Sequence, residues 1–301
     1  MKDMVVMVKD FSKQYGGVTA VDGISFTVKE GEIFALLGPN GAGKTSTLEC
    51  LEGIRKQDGG TIRILDVDPA AEPGKLPQLV GVQLQQAALP ATIKVEEAIK
   101  LFSAYHGIKP RFDLLERLGL QDKMQQTYQS LSTGQKRRLA LALAVAHNPK
   151  LVILDEPTAG LDVQSRVTLH QVLRELRDAG TTIILSTHDM AEVESLADRV
   201  AIMLKGKIVA SGTPRELTAT GNGLTKISVR ATGQSLLQNG FAGVVKATVQ
   251  DDYRIYYSSD PGAAVCEIIA RINEAGEELE DLRVERPSLE ERFLELTQEV
   301  H

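Results

Sequence analysis

Eight residues, Gly38-Pro39-Asn40-Gly41-Ala42-Gly43-Lys44-Thr45, carry the most explicit chemistry in the chain. They match G-x-x-x-x-G-K-S/T, with an apolar stretch, IFALL, leading in and a helical stretch leading out. Each residue type has a physical reason. Glycines let backbone N–H groups close around phosphate oxygens without a Cβ in the way. A helix N-terminus adds a positive field. Lys44 brings a point charge to the outer phosphates, and Thr45, followed by Ser46, brings a hydroxyl to a Mg²⁺ ion that keeps most of its waters. The G-x-G-x-x-G spacing of dinucleotide folds is absent.

A second group follows. Leu151-Val152-Ile153-Leu154 ends in Asp155-Glu156. The apolar run predicts a buried parallel strand beside the strand that feeds the glycine loop. Ligands of such sheets sit at the carboxyl ends of strands. Asp155 would face Mg²⁺, directly or through water. Glu156, on the opposite side, could orient or deprotonate an attacking water.

Between these groups lies Leu131-Ser132-Thr133-Gly134-Gln135, ahead of a long helical segment. Ser132 is a natural N-cap. Lys136, Arg137 and Arg138 crowd the first turns, where cations oppose the helix dipole and call for an incoming phosphate or neighbouring acids. LSTGQ in this place resembles the signature of ATP-binding-cassette proteins, usually LSGGQ, with Thr133 in place of its second-position glycine. The other landmarks of that family fall in order. Tyr15 resembles the aromatic that stacks on adenine. Gln85, after VGVQL, resembles the glutamine that senses Mg²⁺ and the membrane partner. Ala159-Gly160-Leu161-Asp162 resembles the loop that touches the opposite subunit, and His188, after TIILST, the switch histidine near the γ-phosphate. His106, His147, His170 and His301 match no pattern.

The resemblance implies ATP and Mg²⁺ as ligands. It implies a head-to-tail dimer in which Ser132, Gly134 and Gln135 of one subunit close on the nucleotide held by the other. Such a dimer is isologous if both copies are this chain, and a heterodimer if a paralogous cassette takes part. It further implies a polytopic membrane permease as partner, gripped through 86–129, and hence a cytoplasmic chain attached to the inner face of the membrane. The tail segment RVERPSLEERFLELTQ, at Arg283–Gln298, resembles the C-terminal extension of drug and multidrug export ATPases and of related polysaccharide or lipid exporters.

The elements that must position these residues alternate. Strand candidates Glu32–Leu37, Val80–Leu84, Leu151–Asp155 and Thr182–Ser186 are interleaved with helix candidates Lys44–Glu52, Val95–Tyr105, Gly134–Ala146 and Val163–Ala179. This predicts an α/β fold, a P-loop NTPase core with a parallel sheet. Val5–Val8, Ile24–Val28 and Thr61–Leu65 predict an antiparallel β subdomain at the start. The expected organisation is a cassette over 1–217 with a helical subdomain at about 86–150, then a linker at 218–223 and a small α+β domain over 224–301. In that last domain Lys226–Arg230, Val244–Val249 and Tyr253–Tyr257 alternate like strands. Ala263–Ala275 and Ser288–Gln298 read as amphipathic helices, the second with a capping-box spacing between Ser288 and Glu291.

Composition bounds the partners. The chain has 301 residues, no Trp and a net charge of -6. The acidic excess lies in 224–301, with 8 Lys/Arg against 14 Asp/Glu. No basic field marks a nucleic-acid surface. The longest apolar run, Leu139–Ala146, falls far short of the roughly 20 residues of a membrane-spanning helix, and the N-terminus does not read as a secretory signal. Two distant cysteines, Cys50 and Cys266, predict no disulfide framework and fit a reducing compartment.

Overall fold

The computed structural model describes residues 3–84, 89–219, 224–237, 240–285 and 288–299. Two long strands open the chain, β1 (Met4–Tyr15) and β2 (Val18–Lys29). Gly16 and Gly17 join them, both at positive φ, as a tight hairpin turn requires. Next come β3 (Ile33–Leu37), α1 (Lys44–Leu51), β4 (Gly59–Ile64) and β5 (Val80–Gln83). A helical stretch holds α2 (Val95–Tyr105), α3 (Phe112–Arg117) and α4 (Thr133–Val145). The chain then alternates through β6 (Leu151–Asp155), α5 (Val163–Asp178), β7 (Thr182–Thr187), α6 (Met190–Leu196) and β8 (Arg199–Leu204). It returns along β9 (Lys207–Gly212) into α7 (Pro214–Ala219).

Two sheets result. β2-β1-β4 form the expected antiparallel sheet, and β5-β6-β7-β3-β8-β9 form a six-stranded sheet, parallel except for β9. β3, β6 and β7 are buried at every residue, which is why they read as unbroken apolar runs. One core joins the two sheets: Phe11, Phe26 and Ile62 pack with Phe34, Leu36 and Ile153, and the Phe26 and Phe34 rings stack at 5.2 Å.

The strand order corrects one expectation. β6 is not beside β3. β7 lies between them, hydrogen-bonded to both. The residues at the end of β7 therefore stand between the glycine loop and the acid pair.

The chain divides into two compact units, Met1–Pro214 and Arg215–His301. Thr218 and Ala219, read as linker, belong to the last turn of α7, while 220–223 lie outside the described residues. In the second unit, β10 (Thr225–Ala231), β11 (Val244–Gln250), β12 (Tyr253–Ser258) and β13 (Leu279–Glu285) form an antiparallel sheet in the order β11-β12-β10-β13. α8 (Pro261–Glu274) covers it through Ala264, Ile268 and Ile272 against Ile227, Val229 and Tyr256. α9 (Leu289–Glu299) ends the unit, its first turn closed by reciprocal Ser288 and Glu291 hydrogen bonds. Among the described residues no helix is long and apolar enough to cross a membrane. Cys50 is buried, Cys266 is exposed, and both are free thiols.

Candidate nucleotide site

The glycine loop leaves the carboxyl end of β3 and is stitched to β7 at once, Gly38 N–H donating to the Thr187 carbonyl at 3.3 Å. A Cβ at Gly38 would fall 2.4 Å from the Met203 carbonyl oxygen, so glycine is compulsory there. Gly43 has φ near +101° and caps α1, whose first N–H groups are left for an anion. Asn40 and Gly41 are exposed at the loop's tip, Ala42 is buried beneath, and Ser46 is half-buried in the first turn. Lys44 Nζ donates to the carbonyls of Gly38 at 2.6 Å and Pro39 at 3.2 Å. It also lies 3.6 Å from Glu156 Oε1, with both side chains buried.

The acid pair is held by hydroxyls. Thr45 Oγ1 donates to Asp155 Oδ2 at 3.1 Å, and Ser186 Oγ donates to Asp155 Oδ1. The same Ser186 Oγ accepts from Glu156 N–H at 3.1 Å. Glu156 takes the left-handed backbone conformation, φ near +49°, a local strain of about 1 kcal/mol or more that the surrounding hydrogen bonds must hold. Its carboxylate oxygens sit 2.9 and 3.0 Å from His188 Nδ1. Glu156 is buried, while the His188 side chain is 59% exposed. The arrangement can therefore place a buried base beside an exposed imidazole at the mouth of a phosphate loop.

Among the described residues no group of three or more His, Cys, Asp or Glu side chains could hold a metal by itself. Mg²⁺ needs few protein ligands, and the adjoining oxygens of Thr45 and Asp155 fit that demand.

The LSTGQ residues keep company with each other and with α5 rather than with the loop. Ser132 and Gln135 form a capping box on α4, Ser132 N–H donating to Gln135 Oε1 at 2.9 Å and Gln135 N–H to Ser132 Oγ at 3.3 Å. Gly134 faces the start of α5, where a Cβ would stand 3.4 Å from Leu161 and from the Ser165 hydroxyl. Asp162 caps α5, accepting from Ser165 N–H at 2.8 Å and from its hydroxyl at 2.9 Å. These hydrogen bonds hold its carboxyl below the usual range. Tyr15 ends β1 with Lys13 and Arg55 each 5.3 Å from its ring. Gln85 lies outside the described residues.

Two site neighbours escaped the sequence reading, Ser186, which binds both acids, and Thr187, which receives the loop; Arg137, read there only as a crowded cation, donates to the Glu156 carbonyl. The crowded cations at the start of α4 were a usable signal. Arg137 finds Glu156, Arg138 donates to the Leu118 carbonyl at 2.8 Å, and Lys136 lies 5.2 Å from the Tyr128 ring. Nothing in the sequence marks Ser186 among other strand-end serines.

A phosphate loop and an acid pair at the carboxyl ends of a mostly parallel sheet define a P-loop nucleotide hydrolase. Comparison with known proteins narrows the class. The family model described as ABC transporter matches residues 21–159. The chain is 34% identical over 306 residues to the daunorubicin resistance ATP-binding protein DrrA3 of Streptomyces coeruleorubidus, covering 99% of this chain and 97% of the relative. It is 36% identical over 307 residues to the Nod factor export ATP-binding protein I of Paraburkholderia xenovorans, covering 99% and 98%. A solved ATP-binding subunit of an ABC transporter superposes with a TM-score of 0.66 at 28% identity, over 71% of this chain and 91% of that one. The chain belongs to the ABC transporter family, as an ATP-binding subunit of the ATPase class.

Proposed function

We propose that this chain is the ATP-driven motor of an exporter whose membrane-spanning permease is a separate protein. The observation that carries the reading is one connected cluster, in which Lys44, Thr45, Asp155, Glu156, Ser186 and His188 meet at the ends of β3, β6 and β7. Lys44 and the open backbone N–H groups of the loop from Asn40 to Thr45, shaped by Gly38 and Pro39, bind the phosphates, with Ser46 in the same turn. Glu156 accepts the proton of the attacking water. His188, held by Glu156, faces the γ-phosphate. Thr45 and Asp155 hold Mg²⁺, joined by Gln85, and a bound Mg²⁺ supplies charge neutralisation to the phosphates. Tyr15 stacks on the adenine.

The capping box at Ser132 presents the N-terminus of α4 outward, and with Gly134, Gln135 and Asp162 it serves the nucleotide of a second subunit. That subunit is an identical copy or a paralogous cassette. The stretch 86–129 grips the permease, which keeps the chain at the cytoplasmic face of the membrane. Cargo of drug, lipid or polysaccharide type is supported by relatives named for daunorubicin resistance and Nod factor export, whose matches run through the second unit as well as the first. Residues 224–301 act as an accessory domain of that export branch.

The test is purification of the tagged chain from membranes in mild detergent, with the partners identified by mass spectrometry. A polytopic membrane protein in stoichiometric amount is expected. Recovery with ribosomes, with nucleic acid or with no partner would move the reading to a cassette ATPase outside transport.

A further inference from the structure

Three contacts, spaced one helical turn apart, join α5 to α6. Arg166 Nη1 donates to Asp189 Oδ2 at 2.9 Å, His170 Nε2 lies 3.4 Å from Glu192 Oε1, and Arg174 Nη2 donates to the Ser195 carbonyl at 2.8 Å. The residues recur every four positions on α5 and every three on α6, so each set lies on one helix face. The outer rungs reach solvent. The middle one does not, with His170 8% and Glu192 1% exposed. A carboxylate buried that deeply needs a partner. Glu192 Oε2 has no hydrogen-bond partner among the described residues, and Oε1 meets His170, with Arg137 the other nearby charge that acts on this carboxylate.

The ladder sits where two pieces of the site begin. α5 starts from Asp162, at the end of the Ala159–Asp162 loop. α6 starts from Asp189, the residue after His188. Asp189 has both carboxylate oxygens engaged, one on Glu192 N–H at 3.2 Å and the other on Arg166. Its own N–H donates to Thr187 Oγ1 at 3.0 Å. A slide or roll of α6 against α5 would strain Asp189 and so bear on the adjoining His188, and the polar rungs oppose such a shift beside the packing of Val193 and Leu196.

We propose that His170 and Glu192 are positioning residues for ATP hydrolysis, locking α6 to α5 so that His188 stays on Glu156 and moves together with the Ala159–Asp162 loop. The buried rung adds a directional contact to the packing of Val193 and Leu196, and misplacing a catalytic group by about an ångström can cost about 10²-fold in rate. The proposal rests on the reading of Glu156 and His188 as hydrolytic residues.

Its test compares turnover, ATP affinity and thermal midpoint across four variants. His170→Ala and Glu192→Ala should lower kcat roughly tenfold with the Kd for ATP within about twofold. Glu192→Gln, which keeps the shape and one hydrogen bond, should retain most of the turnover. The double variant His170→Phe, Glu192→Leu replaces the buried polar pair by apolar groups, which is commonly neutral or stabilising. It should melt at or above the wild type yet remain slow. Wild-type turnover in that double variant would overturn the proposal, because the rung would then serve stability alone. A readout independent of turnover is the His188 ring signal in ¹H–¹³C NMR spectra. It should shift in the double variant, and an unmoved signal again overturns the proposal. A wild type without ATPase activity whose His188 signal still shifts would sink the hydrolytic reading and leave the positioning role standing.

Discussion

Glu156 collects three demands on one residue. Its backbone is held left-handed by Ser186 and Arg137, its carboxylate meets His188, and Lys44 stands 3.6 Å away. An amide keeps the size and the contacts to Lys44 but cannot take a proton. Glu156→Gln should therefore bind ATP with wild-type affinity and hydrolyse it about 10²–10⁴-fold more slowly. Nucleotide-binding titration beside single-turnover hydrolysis measures both, and near-normal turnover would remove Glu156 from its role. Glu52, next after α1, offers a contrast, since both its oxygens are buried without a partner among the described residues. Burial, with the charges of Asp155 and Glu49 adding, pushes its pKa from 4.5 up to about 8. A raised carboxyl pKa means the fold prefers the neutral acid. No penalty applies below the unfolded value of 4.5; stability is then lost as pH rises and levels off above about 8. Glu52→Gln should raise the thermal midpoint at pH 8 and leave it nearly unchanged at pH 5. An equal gain at both pH values would rule out titration of Glu52 as the cause.

At the scale of elements, the capping box of α4 can be priced separately from its site. Ser132→Ala removes the acceptor for Gln135 N–H and should cost about 1 kcal/mol of cassette stability, read as a lower denaturation midpoint. A larger fall in turnover than in stability would separate its outward-facing role from its capping role. What the sequence made legible follows element by element. β3, β6 and β7 were plain because full burial demands unbroken apolar runs, and their polar ends held the site. β13 was not read, because LEDLRVE is an edge strand with most residues open to solvent and its charges imitate a helix face. β1 and β2 ran longer than their apolar centres because register shifts let charged residues into the ladder. The order of β3, β7 and β6 depends on crossovers that composition does not encode, and with it went Ser186 and Thr187. The rung between His170 and Glu192 was equally hidden, since 22 residues separate a histidine without a motif from its acid.

The whole molecule carries two cores. The first unit gathers Phe11, Phe34, Leu48 and Ile153 around the sheet that presents the nucleotide site, and the second closes Ile227, Val229, Tyr256 and Ile268 beneath its own sheet. The residues proposed above to bind phosphate lie in the first. A ligand stabilises the cooperative unit that binds it and leaves an independent unit alone. Calorimetry of the full chain in its Glu156→Gln form, which retains ATP, should therefore show two transitions. ATP with Mg²⁺ at 100 times Kd adds about 2.7 kcal/mol to the first unit. For a unit of this size that is an upward shift of roughly 5–10 °C. The transition of Arg215–His301 should not move. If a single transition appears and shifts as a whole, the two cores unfold together and the second unit is part of the nucleotide-linked machinery. If only the larger transition moves, the second unit is free to serve a partner while the cassette cycles.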